Sequence, residues 1–195
     1  NLQGVSEESF RDAEHAEKCL NEHDSGLEIS LVEAFRQSEM RKRRGIVILG
    51  DPGSGKTTHL KRLLLWCIRK GHETIGLPND MIPVFLPLRE LKKLDEDLGA
   101  FIQDQLQSPH LQTAKGFGKR LLERGNLLFL LDGLDEVASL SERERVAHWI
   151  TEAIRSHPNC RFVVTCRFAG YSQTVQVKED FLETHIRPFT QDQVE

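Results

Sequence analysis

The chain has 195 residues, of which 38% are hydrophobic and 29% are charged, and its formal net charge is −4. These values are typical of a globular domain that buries a core, and they exclude a broadly basic surface that would recruit nucleic acid or anionic lipid. We expect no signal peptide, because the first residues are acidic and polar, and no membrane segment, because no apolar run approaches the roughly 18 residues required.

The cysteines indicate a reducing compartment. They lie at Cys19, Cys67, Cys160 and Cys166, and no two of them form a Cys-x-x-Cys pair. This spacing predicts neither a zinc site nor a disulfide framework. Cys67 and Cys166 fall within apolar patterns, so we expect buried thiols in a cytoplasmic protein.

Residues 1–40 form a polar N-terminal segment with a helix at its end. Asp24-Ser25-Gly26 offers a helix N-cap, and apolar residues follow at helical spacing as far as about Met40. The basic run Arg41-Lys42-Arg43-Arg44 comes next. It could bind phosphate or act as a targeting signal, but a solvated helix C-terminus, where the helix dipole favours cations, is the preferred interpretation.

A glycine-rich stretch, GDPGSGKTT, follows the apolar run at residues 46–49 and precedes an amphipathic helix. It fits G-x-x-x-x-G-K-[ST], the pattern of a loop whose backbone N–H groups surround phosphate at the start of a helix. In this interpretation Lys56 reaches the β- and γ-phosphates and the Thr57 hydroxyl ligates Mg²⁺. The predicted phosphate-binding residues are Gly50, Asp51, Pro52, Gly53, Ser54, Gly55, Lys56, Thr57 and Thr58.

The helix after this loop has an apolar face, and Gly71 is a plausible C-cap. That face comprises Leu60, Leu63, Leu64, Cys67 and Ile68. Residues 82–86 then read as a strand, and Pro83 near its start is typical of an edge strand. Two helical stretches are predicted over about 95–107 and 112–124.

A continuous apolar strand at residues 127–131 is typical of the middle of a parallel sheet. It ends at Asp132, which we predict to hold Mg²⁺ through its water shell, opposite Thr57, as the carboxylate of a Walker B motif does. Asp135 and Glu136 are candidates to polarise the attacking water in hydrolysis of a phosphoanhydride. The sequence does not choose between these two acids.

The last third of the chain repeats the alternation of helix and strand. Ser141-Glu142-Arg143-Glu144 reads as a capping box that opens a helix, and residues 161–166 form the next strand. Arg167 after this strand is either a γ-phosphate sensor or half of a surface ion pair. A weak last strand is predicted near residues 184–187. The alternation predicts a mostly parallel α/β sheet with helices on both faces, and ligands bind at the carboxyl ends of such strands.

Five segments together resemble the NACHT NTPases, which belong to the STAND class of P-loop NTPases. They are GDPGSGKTT (50–58), IPVFLPLREL (82–91), LLFLLDGLDEV (127–137), VVTCR (163–167) and HIRPFTQDQVE (185–195). The resemblance implies a three-layer αβα P-loop core over residues 41–187, with a mostly parallel five-stranded sheet in the order 51432. It also implies that residues 188–195 begin a following helical domain.

The same resemblance implies roles for the candidate residues. The loop from Gly50 to Thr58 would contact nucleotide, Asp132 would bind Mg²⁺, Asp135 or Glu136 would be catalytic, and Arg167 would be the sensor 1 arginine. Proteins of this family are ATP/ADP switches that are closed with ADP and self-associate with ATP, and they occur in immunity, cell death and antiphage defence. Effector and sensor domains would lie outside this fragment, and we expect the isolated core to hydrolyse ATP slowly.

Other functions remain open at this point. A P-loop small-molecule kinase is disfavoured, because acids after Asp132 suit activation of water rather than of an acceptor hydroxyl. A nucleotide-binding scaffold without turnover is a further possibility. A GTPase is disfavoured because the guanine motif N-K-x-D does not occur. Adenine recognition has no clear pattern of its own, and residues 25–45 are the expected location for part of that pocket.

Overall fold

The computed structural model describes residues 30–69, 77–78, 80–91, 98–106, 113–171, 175–177 and 180–186. Five helices and five strands lie in these ranges, in the order α1 (Leu31–Met40), β1 (Gly45–Leu49), α2 (Lys56–Ile68), β2 (Ile82–Pro87), α3 (Leu98–Leu106), α4 (Phe117–Arg124), β3 (Leu127–Asp132), α5 (Leu140–Ser156), β4 (Arg161–Cys166) and β5 (Phe181–His185). Short 3₁₀ turns follow β2, β3 and β4, at Leu88–Glu90, Leu134–Glu136 and Phe168–Gly170. None of the described helices is long and apolar enough to cross a membrane.

The strands form one sheet in the order β2-β3-β4-β1-β5, and every pair in it is parallel. Read from the β5 edge, this is the predicted order 51432, so the predicted fold class is confirmed. The edge position of β2 agrees with Pro83, because proline has no backbone N–H to donate to a neighbouring strand.

Helices cover both faces of the sheet because β1, β3 and β4 are apolar at every position or nearly so. Alternate side chains of these strands point to opposite faces. The face under α1 and α2 is formed by Ile46, Ile48, Leu128, Leu130 and Val163. The face under α3, α4 and α5 is formed by Val47, Leu49, Phe129, Leu131, Phe162 and Val164. The result is the predicted three-layer αβα arrangement.

Several predicted boundaries differ from the structure. Helix α1 is capped by Ser30, whose Oγ accepts the Glu33 N–H at 3.2 Å, and not by Asp24-Ser25-Gly26. The second of the two helical stretches begins at Phe117 rather than near 112, since Gly116 has a left-handed φ of 74°. Strand β5 begins at Phe181, before the predicted 184. The chain before residue 30, Gly71 and residues 188–195 lie outside the described residues.

Two interpretations of local pattern were wrong. The capping box of α5 uses Ser139 rather than Ser141: Ser139 Oγ accepts the Glu142 N–H at 3.3 Å and Glu142 Oε2 accepts the Ser139 N–H at 3.2 Å. Ile68 was placed on the buried face of α2, but it is 63% exposed. It is the last residue of the helix, and the buried residues of α2 end at Cys67.

Candidate functional site

The loop between β1 and α2 is shaped by its glycines. Gly53 and Gly55 have φ values of 78° and 86°, a region that residues with a Cβ rarely adopt. At Gly50 a Cβ would lie 2.7 Å from Ser54 Oγ, so a larger residue would displace the loop. The loop leads directly into the first turn of α2, where the helix dipole and free N–H groups favour an anion.

Lys56 folds back over this loop. Its Nζ donates to Gly50 O at 2.7 Å and to Asp51 O at 2.8 Å. Burial lowers the pKa of the Lys56 ammonium, while the negative charge of Asp135 opposes that effect and the positive charge of Arg167 adds to it. The Lys56 ammonium is therefore held at the rim of the loop by neutral oxygens, the two carbonyls and Ser54 Oγ at 3.4 Å, where phosphate oxygens would be stronger partners.

Asp132, at the end of β3, accepts hydrogen bonds both from the start of α2 and from β4. It is buried at the end of β3, and its Oδ1 accepts hydrogen bonds from Thr57 Oγ1 at 3.1 Å and from Thr165 Oγ1 at 2.7 Å. Thr165 lies on β4, is 1% exposed, and also accepts the Gly133 N–H at 2.8 Å. Thr57 and Asp132, which were predicted to lie on opposite sides of Mg²⁺, are thus in direct contact in this structure.

Thr165 was missed by the sequence analysis. Strand β4 ends Phe162-Val163-Val164-Thr165-Cys166, and threonine is common in strands, so the residue did not stand out. The available signal was its polarity: a hydroxyl in an otherwise apolar central strand requires a buried partner. The end of the adjacent strand β3 is the place where an acid could provide one.

Asp135 and Arg167 form the next contact along this edge. Asp135 Oδ1 accepts the backbone N–H of Arg167 at 2.9 Å, and Asp135 Oδ2 lies 3.0 Å from Arg167 Nε. A Cβ on Gly170 would lie 2.4 Å from Asp135 Cβ, so the turn after β4 packs directly on this acid. Arg167 is thus half of an ion pair, and its side chain is also about half exposed and close enough to the loop for its charge to act on Lys56.

Glu136 has a different partner. Its Oε2 lies 2.5 Å from Nη1 of Arg89, which follows the edge strand β2. Neither side chain is buried, so solvent reaches this pair. The two acids after Asp132 therefore contact two arginines that come from the two strands flanking β3.

A comparison with protein families identifies the family of this chain. The family profile of the NACHT domain matches residues 44–195, which is most of the chain. This chain belongs to the NACHT family. NACHT domains are nucleotide-binding NTPase modules, so nucleotide binding and nucleoside triphosphatase activity follow for this chain in general terms. A comparison with curated proteins gave no match.

The candidate residues occupy one edge of the NACHT core. β1, β3 and β4 end there, and they present the phosphate loop, the acidic cluster and Arg167 respectively. Within the loop, the exposed residues are Asp51, Pro52 and Gly53, and Thr58 is exposed in the first turn of α2. The structure therefore brings the candidate residues together at one edge of the sheet.

The residues of the NACHT site fit Mg²⁺ and a nucleotide phosphate. Thr57 and Asp132 provide a hydroxyl and a carboxylate in contact, and Mg²⁺ prefers such oxygen ligands while keeping several waters. Because Thr57 and Lys56 are adjacent at the start of α2, a cation at Thr57 and an anion at the loop would be neighbours. NACHT domains typically bind nucleotide with Mg²⁺.

Proposed function

We propose that this NACHT core binds ATP and ADP with Mg²⁺ and hydrolyses ATP slowly. The observation that carries this proposal is the 3.1 Å hydrogen bond between Thr57 and Asp132. It connects the glycine-rich loop to the acidic strand end in the arrangement that places one divalent cation beside the phosphate chain. An unrelated glycine-rich turn would have no reason to meet a buried carboxylate 75 residues later.

The proposed roles follow from position. Lys56 binds the β- and γ-phosphates, the loop N–H groups from Gly50 to Thr58 surround them, and Thr57 with Asp132 holds the metal. Bound Mg²⁺ would neutralise charge on the phosphate oxygens. Arg167 senses the γ-phosphate, and one of the acids Asp135 and Glu136 polarises water.

Slow turnover is supported by the ion pair of Asp135. Both of its carboxylate oxygens contact Arg167, so Glu136, the more exposed of the two candidate acids, is the one left open to water as a proton acceptor. The two acids also favour hydrolysis over a small-molecule kinase, because carboxylates at this strand end are suited to activating water. A scaffold without turnover is the remaining alternative, and a measured release of phosphate from ATP would rule it out.

Thermal melting with ATP, ADP and GTP, each with Mg²⁺, tests the nucleotide. A ligand at about 100 times its dissociation constant adds roughly 2.7 kcal/mol to the free energy of unfolding. For a chain of this size the melting temperature should rise by about 5 to 10 °C. We expect this rise with adenine nucleotides. An equal rise with GTP, or no rise with any nucleotide, would contradict the proposed ATP specificity.

We further propose that the core is part of a cytoplasmic switch in immunity or antiphage defence, which self-associates with ATP. The resemblance to STAND proteins supports this, as do the three cysteines of the described residues, Cys67, Cys160 and Cys166, which are buried free thiols. Light scattering of the longer protein with ADP and with a non-hydrolysable ATP analogue tests the switch. A mass that is the same with both nucleotides would argue against it.

A further inference from the structure

Arg89 belongs to the segment Leu88-Arg89-Glu90-Leu91, which has no role in the proposed function so far. In the pairing of β2 with β3, Pro87 lies opposite Asp132. The 3₁₀ turn that follows is held by Leu88, which is 1% exposed, and by a hydrogen bond from Leu91 N to Leu88 O at 3.2 Å. The buried leucine therefore fixes the turn that carries Arg89 at the level of the acidic cluster.

Glu136 is also held at a defined place. Its N–H donates to Gly133 O at 3.0 Å and closes the turn after β3. A Cβ on Gly133 would lie 2.9 Å from Glu136 Cδ, so the carboxylate lies directly over this glycine. Arg89 Nη1 contacts it from the side of β2 at 2.5 Å. The Glu136 carboxylate raises the pKa of Arg89, through the hydrogen bond first and its charge second.

The neighbouring acid is used differently. Both oxygens of Asp135 contact Arg167, one through the backbone N–H and the other through Nε. The side chain of Asp135 is 10% exposed, whereas that of Glu136 is 35% exposed. Asp135 thus anchors the turn after β4, and Glu136 is the acid that water reaches.

We propose that Arg89 is a positioning residue that orients Glu136 for hydrolysis of the bound nucleotide. This inference rests on the proposed function. Glu136 accepts a proton as the water oxygen bonds to the γ-phosphorus, while the bond from that phosphorus to the β–γ bridging oxygen breaks. The proton then passes to the released phosphate, and the nucleoside diphosphate leaves. Arg89 takes no part in the bond changes, and it acts by holding the Glu136 carboxylate in place over Gly133.

The test separates turnover from binding. Phosphate release in a single turnover and nucleotide affinity are measured for wild type, Arg89→Ala, Arg89→Lys, Glu136→Gln and the double variant R89A/E136Q. We expect Arg89→Ala to lower the rate constant of phosphate release about tenfold, which is part of the 10²- to 10⁴-fold that a general base supplies. The dissociation constant of the nucleotide should stay within about twofold of the wild-type value. Arg89→Lys should restore part of the rate.

The double variant gives the sharpest result. If Arg89 acts through Glu136, R89A/E136Q is no slower than E136Q alone. Arg36→Ala is the matched control, because Arg36 forms an exposed pair with Glu33 at 3.0 Å on α1, away from the acidic cluster. It should leave the rate unchanged. Arg89→Gln replaces Arg89→Ala if the latter does not fold.

Three results would overturn the inference: an unchanged or faster rate in R89A, a loss in R89A that adds fully to that of E136Q, or a loss confined to affinity. Failure of the proposed function looks different. A wild-type protein that binds no nucleotide contradicts both proposals at once. One that binds nucleotide but releases no phosphate in the longer protein contradicts hydrolysis, and with it the role of Arg89.

Discussion

Asp135 binds Arg167 at two points, through the backbone N–H at 2.9 Å and through Nε at 3.0 Å. One contact fixes the main chain where β4 ends, and the other fixes the direction of the guanidinium. Because the carboxylate is nearly buried, solvent weakens this pair less than it weakens an exposed ion pair. The direction of Arg167 towards the loop therefore depends on Asp135.

We predict that Asp135→Ala and Arg167→Ala have overlapping effects. Each single change should reduce the preference for ATP over ADP, because Arg167 loses either its side chain or its orientation. The double variant should show little further loss, with an interaction free energy in the range of about 0.5–3 kcal/mol. Nucleotide titrations of the four proteins measure this. Lys119→Ala, in an exposed pair with Glu123, is the control. Fully additive losses would show that the two residues act separately.

We predict that Lys56→Ala abolishes the rise in melting temperature caused by adenine nucleotide. The ammonium lies over the loop carbonyls, and no other lysine lies in the loop. Lys61→Ala on the exposed side of α2 removes the same charge from the same helix and should keep the full rise. Thermal melting with and without ATP and Mg²⁺ compares the two. A Lys56→Ala protein that is still stabilised by ATP would place the phosphates elsewhere.

We predict that Thr165→Val weakens both the fold and the binding of Mg²⁺. The change leaves the buried Gly133 N–H without its acceptor, which costs about 1–3 kcal/mol of unfolding free energy, and frees Asp132 to rotate. Urea unfolding measures the first effect, and ATP affinity at a series of Mg²⁺ concentrations measures the second.

Thr165→Ser is the matched control for this change, since it keeps the hydroxyl and loses only a methyl group. It should retain the Mg²⁺ dependence of the wild type. If Thr165→Val destabilises the protein but leaves the Mg²⁺ dependence of ATP affinity unchanged, the residue supports the fold alone.

We predict that Ser139→Ala lowers the free energy of unfolding by about 1 kcal/mol, because the cap of α5 is lost. Ser141→Ala should change it by less than about 0.5 kcal/mol, since Ser141 is exposed and lies inside the helix. Urea unfolding of both variants tests the assignment. A larger loss at Ser141 would restore the boundary that the sequence pattern predicted.

The parallel α/β sheet and the edge that carries the candidate site could be predicted from the sequence because both depend on strong signals. Apolar runs such as that of β3 identify buried parallel strands, and the glycine-rich loop fixes where a helix begins. The resemblance to a family then fixed the strand order. Since parallel strands place their carboxyl ends together, Asp132 and Arg167 could be assigned to the same edge as Lys56.

The contacts within the site could not be predicted in the same way. The pairing of Arg89 with Glu136 depends on the register of β2 against β3, which no local pattern reveals. The serine that caps α5 was misassigned because Ser139 and Ser141 both precede an acid at a plausible distance. Ile68 follows the helical period of α2, but the period does not show whether another element packs against the end of the helix. The structure shows that Ile68 is exposed.

The register of β2 and β3 also determines where residues can be inserted without moving Arg89 away from Glu136. Six consecutive residue pairs join the strands, from Ile82 with Leu127 to Pro87 with Asp132. The distance between Arg89 and Glu136 is set by this ladder and not by the connection that carries α3 and α4. Insertions or grafts in that connection should leave the ion pair intact, whereas one residue added within β2 would turn its later side chains to the opposite face. The register of the edge strand thus sets the position of Arg89 relative to Glu136, and the helical connection between β2 and β3 does not.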